Sequence, residues 1–491
     1  MTTPVATEVP RAVEGSRNGR HRAGTPPAAV VLGVGNLGIG VYRSLGRCGI
    51  PVIAVHSNPG DVALASKFCR VVISPPLDEA AAYERCLMEV GRSLDRPPVL
   101  IPTNDRTALF MSERRDVLRG AFRFILPEPH VLRGLINKRE FDLLAKAHGL
   151  PVPQTFFAAT LADIERIAAE VPYPAILKPA YSPAWMRAEF QARFGKGAGG
   201  FIKRIVVASP AELAATYAAV ARYDPEVVVQ DLIVGGDEHL VDVYAYLGST
   251  GKTLAQFAIQ KLRVLPIDGN GVGTSVRAVE VPELEELALR FLESVGYRGN
   301  AAVCFKKDAR DGRYYCIEVN ARLALHHALA AACGVNLAVM GYQEALGEAP
   351  REQRSPLPRG NLKWVTLKDD FQAALRYRRR GCLSLPGWLR SLAGSKSFVH
   401  WAFDDPGPAC ARFLLTCAGW GPLERGPLAV FRRGLRAVAY RLLTRNTARP
   451  TQTRGPGIEE GSDDLGGSGP ARDLAWAAGA PRGNGARPNA G

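Results

Sequence analysis

YYCIEVNARLALHH, residues 314–327, sets Glu318, Asn320 and Arg322 at alternate positions of an otherwise apolar run. Successive side chains of a β-strand point to opposite faces, so a period of two brings carboxylate, amide and guanidinium onto one face. A carboxylate beside an amide oxygen suits Mg2+, a hard ion that takes oxygen ligands alongside substrate phosphates. An arginine two residues on can steady phosphoryl oxygens during transfer. Taken alone, the pattern also fits a half-exposed strand with its polar residues outward. The charged groups upstream turn it toward chemistry.

Lys138, in NKREF, reads by itself as a solvated lysine on a helix face. Lys178 closes the apolar strand of ILKPA, where an ammonium is costly to bury unless an anion meets it. In VVVQDLIVGGDEHL, residues 227–240, an apolar strand runs into Gln230 and Asp231, then Gly235 and Gly236, then Asp237 and Glu238. Backbone at such a strand exit can pair with the edge of a base while a carboxylate a few residues on takes ribose hydroxyls. A hairpin turn is the plainer alternative. Lysine, lysine, strand exit and Glu-x-Asn-x-Arg in that order are harder to obtain by chance than any one of them.

The 491 residues, 47% of them hydrophobic, can bury a large core and predict two or three domains. Residues 1–26 and 446–491 are rich in Gly, Pro, Ser and Arg without periodicity and are expected to be disordered tails. Between residues 27 and 136, AAVVLGV, PVIAVHS, RVVISP, PVLIPTN and FRFILPE alternate with amphipathic stretches, the pattern of a doubly wound parallel sheet. From 137 to 350 the strands shorten and are joined by turns such as Asp311-Gly312, which predicts an α+β region with mostly antiparallel pairing. Residues 351–445 read as helices.

Lys and Arg number 62 against 47 acids, a net charge of +15. Nineteen basic and six acidic residues fall between 351 and 450, so the rest of the chain is nearly neutral. That distribution argues against a nucleic-acid partner for the body of the protein. In FRRGLRAVAYRLLTR, residues 431–445, Phe431, Leu435, Val438 and Leu442 recur at helical spacing between arginines. This fits a helix packed on the body or, as the second reading, weak peripheral contact with an anionic membrane through residues 428–445. The nine cysteines show no C-x-x-C pairs and are expected to be reduced. No apolar stretch reaches the roughly 18 to 20 residues of a membrane span, so a cytoplasmic location is expected.

The stretch VVLGVGNLGIGVYRSLGRCGIPVIAVHSNP, residues 30–59, places Gly33, Gly35, Gly38 and Gly40 between a strand and a helix. The spacing suits a dinucleotide turn, but the second strand ends in His56, Ser57 and Asn58 where an acid would take the ribose hydroxyls. A βαβ packing motif is the leading reading, and an NADP-linked oxidoreductase the alternative.

At these residues the chain resembles the ATP-grasp superfamily over about residues 28–350, most closely its carbamoyl-phosphate-synthase-like and D-aspartate-ligase-like carboxylate–amine ligases. The resemblance implies a Rossmann-like pre-ATP-grasp domain over residues 27–136, to which GVGNLGIG contributes the first turn. It also implies a two-lobed ATP-grasp domain over 137–350, and the basic helical segment of residues 351–445 follows. Lys138 and Lys178 would contact the phosphates and base of ATP, and Gln230, Asp231 and the residues through Ile233 would form the adenine hinge. Asp237 or Glu238 would take the ribose, Glu318 and Asn320 would hold Mg2+ or Mn2+, and Arg322 would stabilise phosphoryl transfer. IPTND, ending at Asp105, and GLPVPQT resemble linker signatures of the same family. Lys261, Arg263 and Arg277 are candidates for substrate or phosphate contact.

Cys304 stands where relatives place Glu, Asp or Gln, a soft atom in a hard-ion site, which leaves open one metal ion or two. The glycines of residues 181–200 come late for a phosphate-covering loop. The implied activity is ATP-dependent ligation of a small carboxylate to an amine or related nucleophile through an acyl phosphate. A degenerate ATP-binding protein without ligase activity is the further alternative.

Overall fold

The computed structural model describes residues 24–419, except 34, 181–184, 186, 195–201, 203, 268–270 and 355–361, together with 438 and 441–443. Residues 1–23 and 446–491, most of the stripe at 428–445 and all of the glycines at 195–200 therefore lie outside the described residues.

Four strands, β1 (Ala29–Leu32), β2 (Val52–His56), β3 (Cys69–Ile73) and β4 (Val99–Pro102), form a parallel sheet ordered β3-β2-β1-β4. β1 is buried along its whole length, as a strand covered on both faces must be, which is why it reads as an unbroken apolar run. The fifth run, FRFILPE, makes a single bridge between Arg123 and Val99 rather than a strand. Phe122, Phe124 and Leu126 bury themselves in the core that holds Leu100, and Pro127 and Pro129 then turn the chain into the helix Pro129–Ile136.

The next region is antiparallel. Strands β5 (Thr155–Ala158), β6 (Ala175–Pro179), β7 (Ile205–Val207) and β8 (Val227–Asp231) form a sheet ordered β5-β8-β6-β7. Helices Leu161–Glu170 and Pro210–Val220 cover it through Ile164, Ile167, Leu213 and Tyr217. Thr160 and Asp163 close a capping box on the first of these helices and Ser209 caps the second, which fixes where each begins.

The largest sheet contains β9 (Leu240–Leu247), β10 (Thr253–Leu265), β11 (Val272–Val279), β12 (Gly299–Lys307), β13 (Tyr314–Asn320), β14 (Gln353–Arg354), β15 (Lys363–Val365) and β16 (Lys396–Phe398). Its order is β13-β12-β9-β10-β11-β15-β16, with β14 beside β10. Period-two alternation divides its faces. Val241, Val243, Ala245 and Leu247 enter one core with Phe141 and Phe291, while Tyr244 and Tyr246 enter another with Ile39 and Leu45 of the first domain.

The C-terminal segment differs from the helix-only expectation. β15 extends the large sheet antiparallel to β11, and β16 continues it parallel to β15. These strands are three residues long and carry no periodic signal; their neighbours create them. Helices Leu367–Arg379, Leu385–Ser391 and Gly407–Gly419 accompany them. The segment is fastened by buried ion pairs. Arg263 makes two hydrogen bonds of 2.8 Å to Asp370, which also accepts from Trp388 and Thr274. Arg43 of the first domain donates to Asp405 at 2.9 Å and to the carbonyls of Val399 and His400. Among the described residues no helix is long and apolar enough to cross a membrane, and the nine cysteines are unpaired.

Candidate functional site

Two places show nucleotide-like patterns in sequence, and the structure treats them oppositely. In the glycine-rich turn, Gly33 adopts φ +94°, and a Cβ there would lie 2.5 Å from Oγ1 of Thr103. A Cβ on Gly38 would meet the Tyr42 hydroxyl at 2.9 Å, and one on Gly40 would meet Nε2 of His327 at 2.8 Å. The glycines thus admit this chain's own side chains, and Gly40 lets the helix Gly35–Gly46 approach the helix His327–Ala332. This is the packing motif that was the leading sequence reading.

The second place lies where the antiparallel sheets meet. Lys178 Nζ, on β6, donates to Gln230 Oε1 on β8 at 2.8 Å, and Gln230 Nε2 donates to Thr155 Oγ1 on β5 at 2.8 Å. Lys138 opens the helix Lys138–Ala147 and donates to the Pro179 carbonyl at 2.9 Å, so both lysines attend the same strand end. Burial pushes the Lys178 ammonium down to about 7, with Arg204 and Lys138 adding to the fall and Glu318 opposing it. Burial likewise pushes Lys138 down to about 8 against the pull of Glu318 and Asp224. Cations desolvated to this degree are poised to accept an anion.

The strand exit forms a hinge held from the large lobe. Arg310, in the β12–β13 turn, makes two hydrogen bonds to Asp231, at 3.1 and 2.7 Å. Lys306 donates to the Ile233 carbonyl at 2.9 Å, and the amide of Ala309 donates to the Val234 carbonyl at 2.9 Å. Of the two carboxylates offered for a ribose, Asp237 is buried and accepts from the Tyr377 hydroxyl, whereas Glu238 is exposed.

Across the large sheet, Cys304 on β12 pairs in register with Asp242 on β9 and with Glu318 on β13. Lys261 on β10 reaches Asp242 with Nζ 3.2 Å from Oδ2. Burial lowers the Lys261 pKa, but Asp242, Cys304 and Glu318 outweigh it, and the ammonium is held above the ordinary lysine range. The other Asp242 oxygen, Oδ1, is buried without a hydrogen-bond partner. Burial, reinforced by Asp242, raises the Cys304 thiol well above its usual value, which keeps it protonated and a poor metal ligand.

Glu318 and Asn320 do meet, but with the amide nitrogen of Asn320 3.4 Å from Glu318 Oε1 and 3.5 Å from Cys304 Sγ. The Asn320 oxygen accepts from Arg322 at 3.0 Å; turning the amide over would present that oxygen beside Glu318 and give up the Arg322 bond. Arg322 is oriented by Asp105 of the first domain, Nε to Oδ1 at 2.8 Å. Beside this row His326 is buried between the Tyr244 hydroxyl at 3.2 Å and the Gly273 carbonyl at 3.1 Å, and burial pushes its pKa down to about 4.

The structure therefore gathers Lys138, Lys178, Lys261, Glu318, Asn320 and Arg322. It does not gather Arg277, whose Nε donates to Gln260 on the adjacent strand at 2.8 Å. The small cavity behind Arg322, lined by Tyr246, Tyr297 and Asn300, includes none of Lys138, Lys178 or Glu318 and is not this site. Sequence reading missed Asp242, Arg310 and Tyr377, and gave Asp105 only as the end of a linker signature, without its bond to Arg322. Asp242 had a signal: an acid inside the apolar strand LVDVYAYL, the same anomaly that marked Lys178.

The site thus lies where a parallel sheet is followed by two antiparallel ones, with buried lysines against a carboxylate–amide strand. Residues 274–353 match the family model described as the carbamoyl-phosphate synthase L chain ATP-binding domain. A D-aspartate ligase from Enterococcus faecium is 24% identical over 286 residues, which cover 56% of this chain and 65% of the relative. A carbamoyl phosphate synthase large chain from Thermomicrobium roseum is 25% identical over 373 residues, 70% of this chain and 30% of the relative. The chain thus spans less than two thirds of the length of either relative. A biotin carboxylase from Campylobacter jejuni, solved as a beta-gamma-ATP complex, superposes with a TM-score of 0.53 at 17% identity, covering 67% of this chain and 73% of that one. These likenesses agree with the resemblance to the ATP-grasp superfamily read from the sequence, the family match covering residues 274–353.

Proposed function

We propose that the protein is an ATP-dependent ligase that activates a small carboxylate as an acyl phosphate and passes the acyl group to an amine or related nucleophile. The observation that carries this reading is the convergence of two desolvated lysines, Lys138 and Lys178, on the field of Glu318, with Lys261 and Arg322 in the same row. One relative, a D-aspartate ligase, is a ligase by name, which supports this class of reaction.

Lys178 and Lys138 pair with nucleotide phosphates, which restore their charge. The backbone between Gln230 and Ile233 faces the base, and Glu238, exposed beside the buried Asp237, takes the ribose. The donor set fits one Mg2+: Glu318 supplies an anionic oxygen and Asn320 a neutral one once its amide turns. When bound, the ion neutralises phosphate oxygens.

A carboxylate oxygen of the substrate attacks the γ-phosphorus, the bond from phosphorus to the bridging oxygen breaks, and ADP leaves. Arg322, fixed by Asp105, faces the negative charge on the transferring group, and Lys261 holds the carboxylate end. The nucleophile's lone pair then attacks the acyl carbon, phosphate departs, and the amine loses a proton. Positioning and charge neutralisation supply most of the catalysis in such transfers.

The domain boundaries at about 136 and 350 and the cytoplasmic location belong to the same reading. So do the small-molecule partners; for residues 428–445 a helix packed on the body is the first reading and weak membrane contact the second. The test is ADP release in a screen of amino acids and other carboxylates, each with and without an amine. ADP formed only when both are present supports ligation. Nucleotide binding without ADP release from any pair favours the degenerate alternative.

A further inference from the structure

Asp242, Cys304 and Glu318 form one row across β9, β12 and β13, with a soft sulfur between two hard carboxylates. The described residues contain no group of three or more His, Cys, Asp or Glu arranged to hold a metal ion. What stands on the Asp242 side instead is a cation of the protein's own. Lys261 Nζ lies 3.2 Å from Asp242 Oδ2, and both side chains are close to fully buried. The geometry points to a site built for one divalent cation, at Glu318 and Asn320, with the Lys261 ammonium fixed in place of a second. This inference deepens the ATP-binding reading and rests on it.

Charge supports the assignment. With Arg322 paired to Asp105, the two carboxylates and the Lys261 ammonium leave a single net negative charge in the row, which one divalent ion would convert to a single positive charge facing the nucleotide. A second ion on Asp242 would sit against Lys261 in a poorly screened interior, a like-charge contact that the row has no further anion to relieve. The Asp242 carboxylate thus meets the Lys261 ammonium through Oδ2 on one side and the Cys304 thiol on the other. Lys261 differs from a metal ion in one functional respect: it cannot be removed by chelation.

Removing the ammonium should convert a one-ion site into a two-ion site. The experiment titrates Mn2+ into the full chain with equimolar β,γ-imido ATP and counts bound ions by electron paramagnetic resonance. One Mn2+ per chain is expected for the wild type, a second and weaker ion for Lys261→Met, and a return to one for Lys261→Met combined with Asp242→Asn. Lys261→Arg, which keeps the charge and tests the site if the methionine variant does not fold, should stay at one. Two ions in the wild type would overturn the inference while leaving nucleotide binding intact. A Lys261→Met protein that still binds one ion, or a Lys261→Arg protein that binds two, would overturn it as well. Absence of any nucleotide-dependent Mn2+ binding would overturn the ATP-binding reading and this inference together.

Discussion

The glycine-rich turn at Gly33–Gly40 and the row around Glu318 both carry nucleotide-like patterns in sequence, yet the structure fills only the first with the protein's own side chains. In the first, the space that the missing side chains leave is taken by Thr103, Tyr42 and His327. In the second, buried charges face one another with demand left over: two lysines lowered by burial and a carboxylate oxygen without a partner. Glycine spacing reports that something comes close to the backbone, and here it is the protein's own side chains. A charge inside an apolar strand is costlier, and it identifies the place that expects a ligand.

The largest effect that can break this contrast is at Glu318. Glu318→Gln should lower ADP release by roughly 100-fold or more, because the only anionic oxygen of the carboxylate–amide pair is lost. Its side chain is exposed, so unfolding free energy should move by no more than about 0.5 kcal/mol. Measuring ADP against Mg2+ concentration together with a denaturation curve separates the two; full activity would remove Glu318 from the site.

Gly40→Ala should do the reverse, destabilising the fold by about 1–3 kcal/mol through overpacking against His327 while leaving ATP affinity unchanged. A weakened ATP or NADPH affinity with normal stability would return the glycine turn to a binding role.

A pH series sharpens the contrast further. Lys178 and Lys138 titrate near 7 and 8 in the folded chain, below their ordinary range, so above about pH 7 the unfolded state holds more protons and stability of the free protein rises with pH. Nucleotide phosphates favour the charged lysines, so ATP affinity should fall on the order of tenfold from about pH 7 to pH 9, with proton uptake on binding. Calorimetry in buffers of different ionisation enthalpy reads that uptake; proton release would contradict the placement of these lysines.

The smallest effect is expected at Cys304→Ser, where activity should stay within about twofold because the thiol offers nothing to a hard ion. A dead enzyme would give the sulfur a role in the row.

Much of the fold was legible because its strands are long and either fully apolar or alternating: β1, β6, β8, β9, β10, β12 and β13 all lie in runs that stand out in the sequence. β15 and β16 were not legible, since KWV and KSF become strands only by pairing beside β11. β7 is equally short, and FRFILPE, which does read as a strand, is drawn into the core instead. In the candidate site, Lys178 and Glu318 announced themselves by charge and spacing. Asp105, 217 residues from Arg322, did not, because a partner so distant leaves no local pattern. Asp237 and Glu238 are adjacent in sequence and equivalent there; only the arrival of Tyr377 from the C-terminal segment tells them apart.

The central claim is that the lysine–carboxylate row, not the glycine turn, receives the nucleotide. Denaturant unfolding with Mg-ATP at about 100 times its dissociation constant, compared with NADPH at the same concentration, tests it directly. The account predicts about 2.7 kcal/mol of added stability from ATP and no change from NADPH. Stabilisation by NADPH with none from ATP would contradict it.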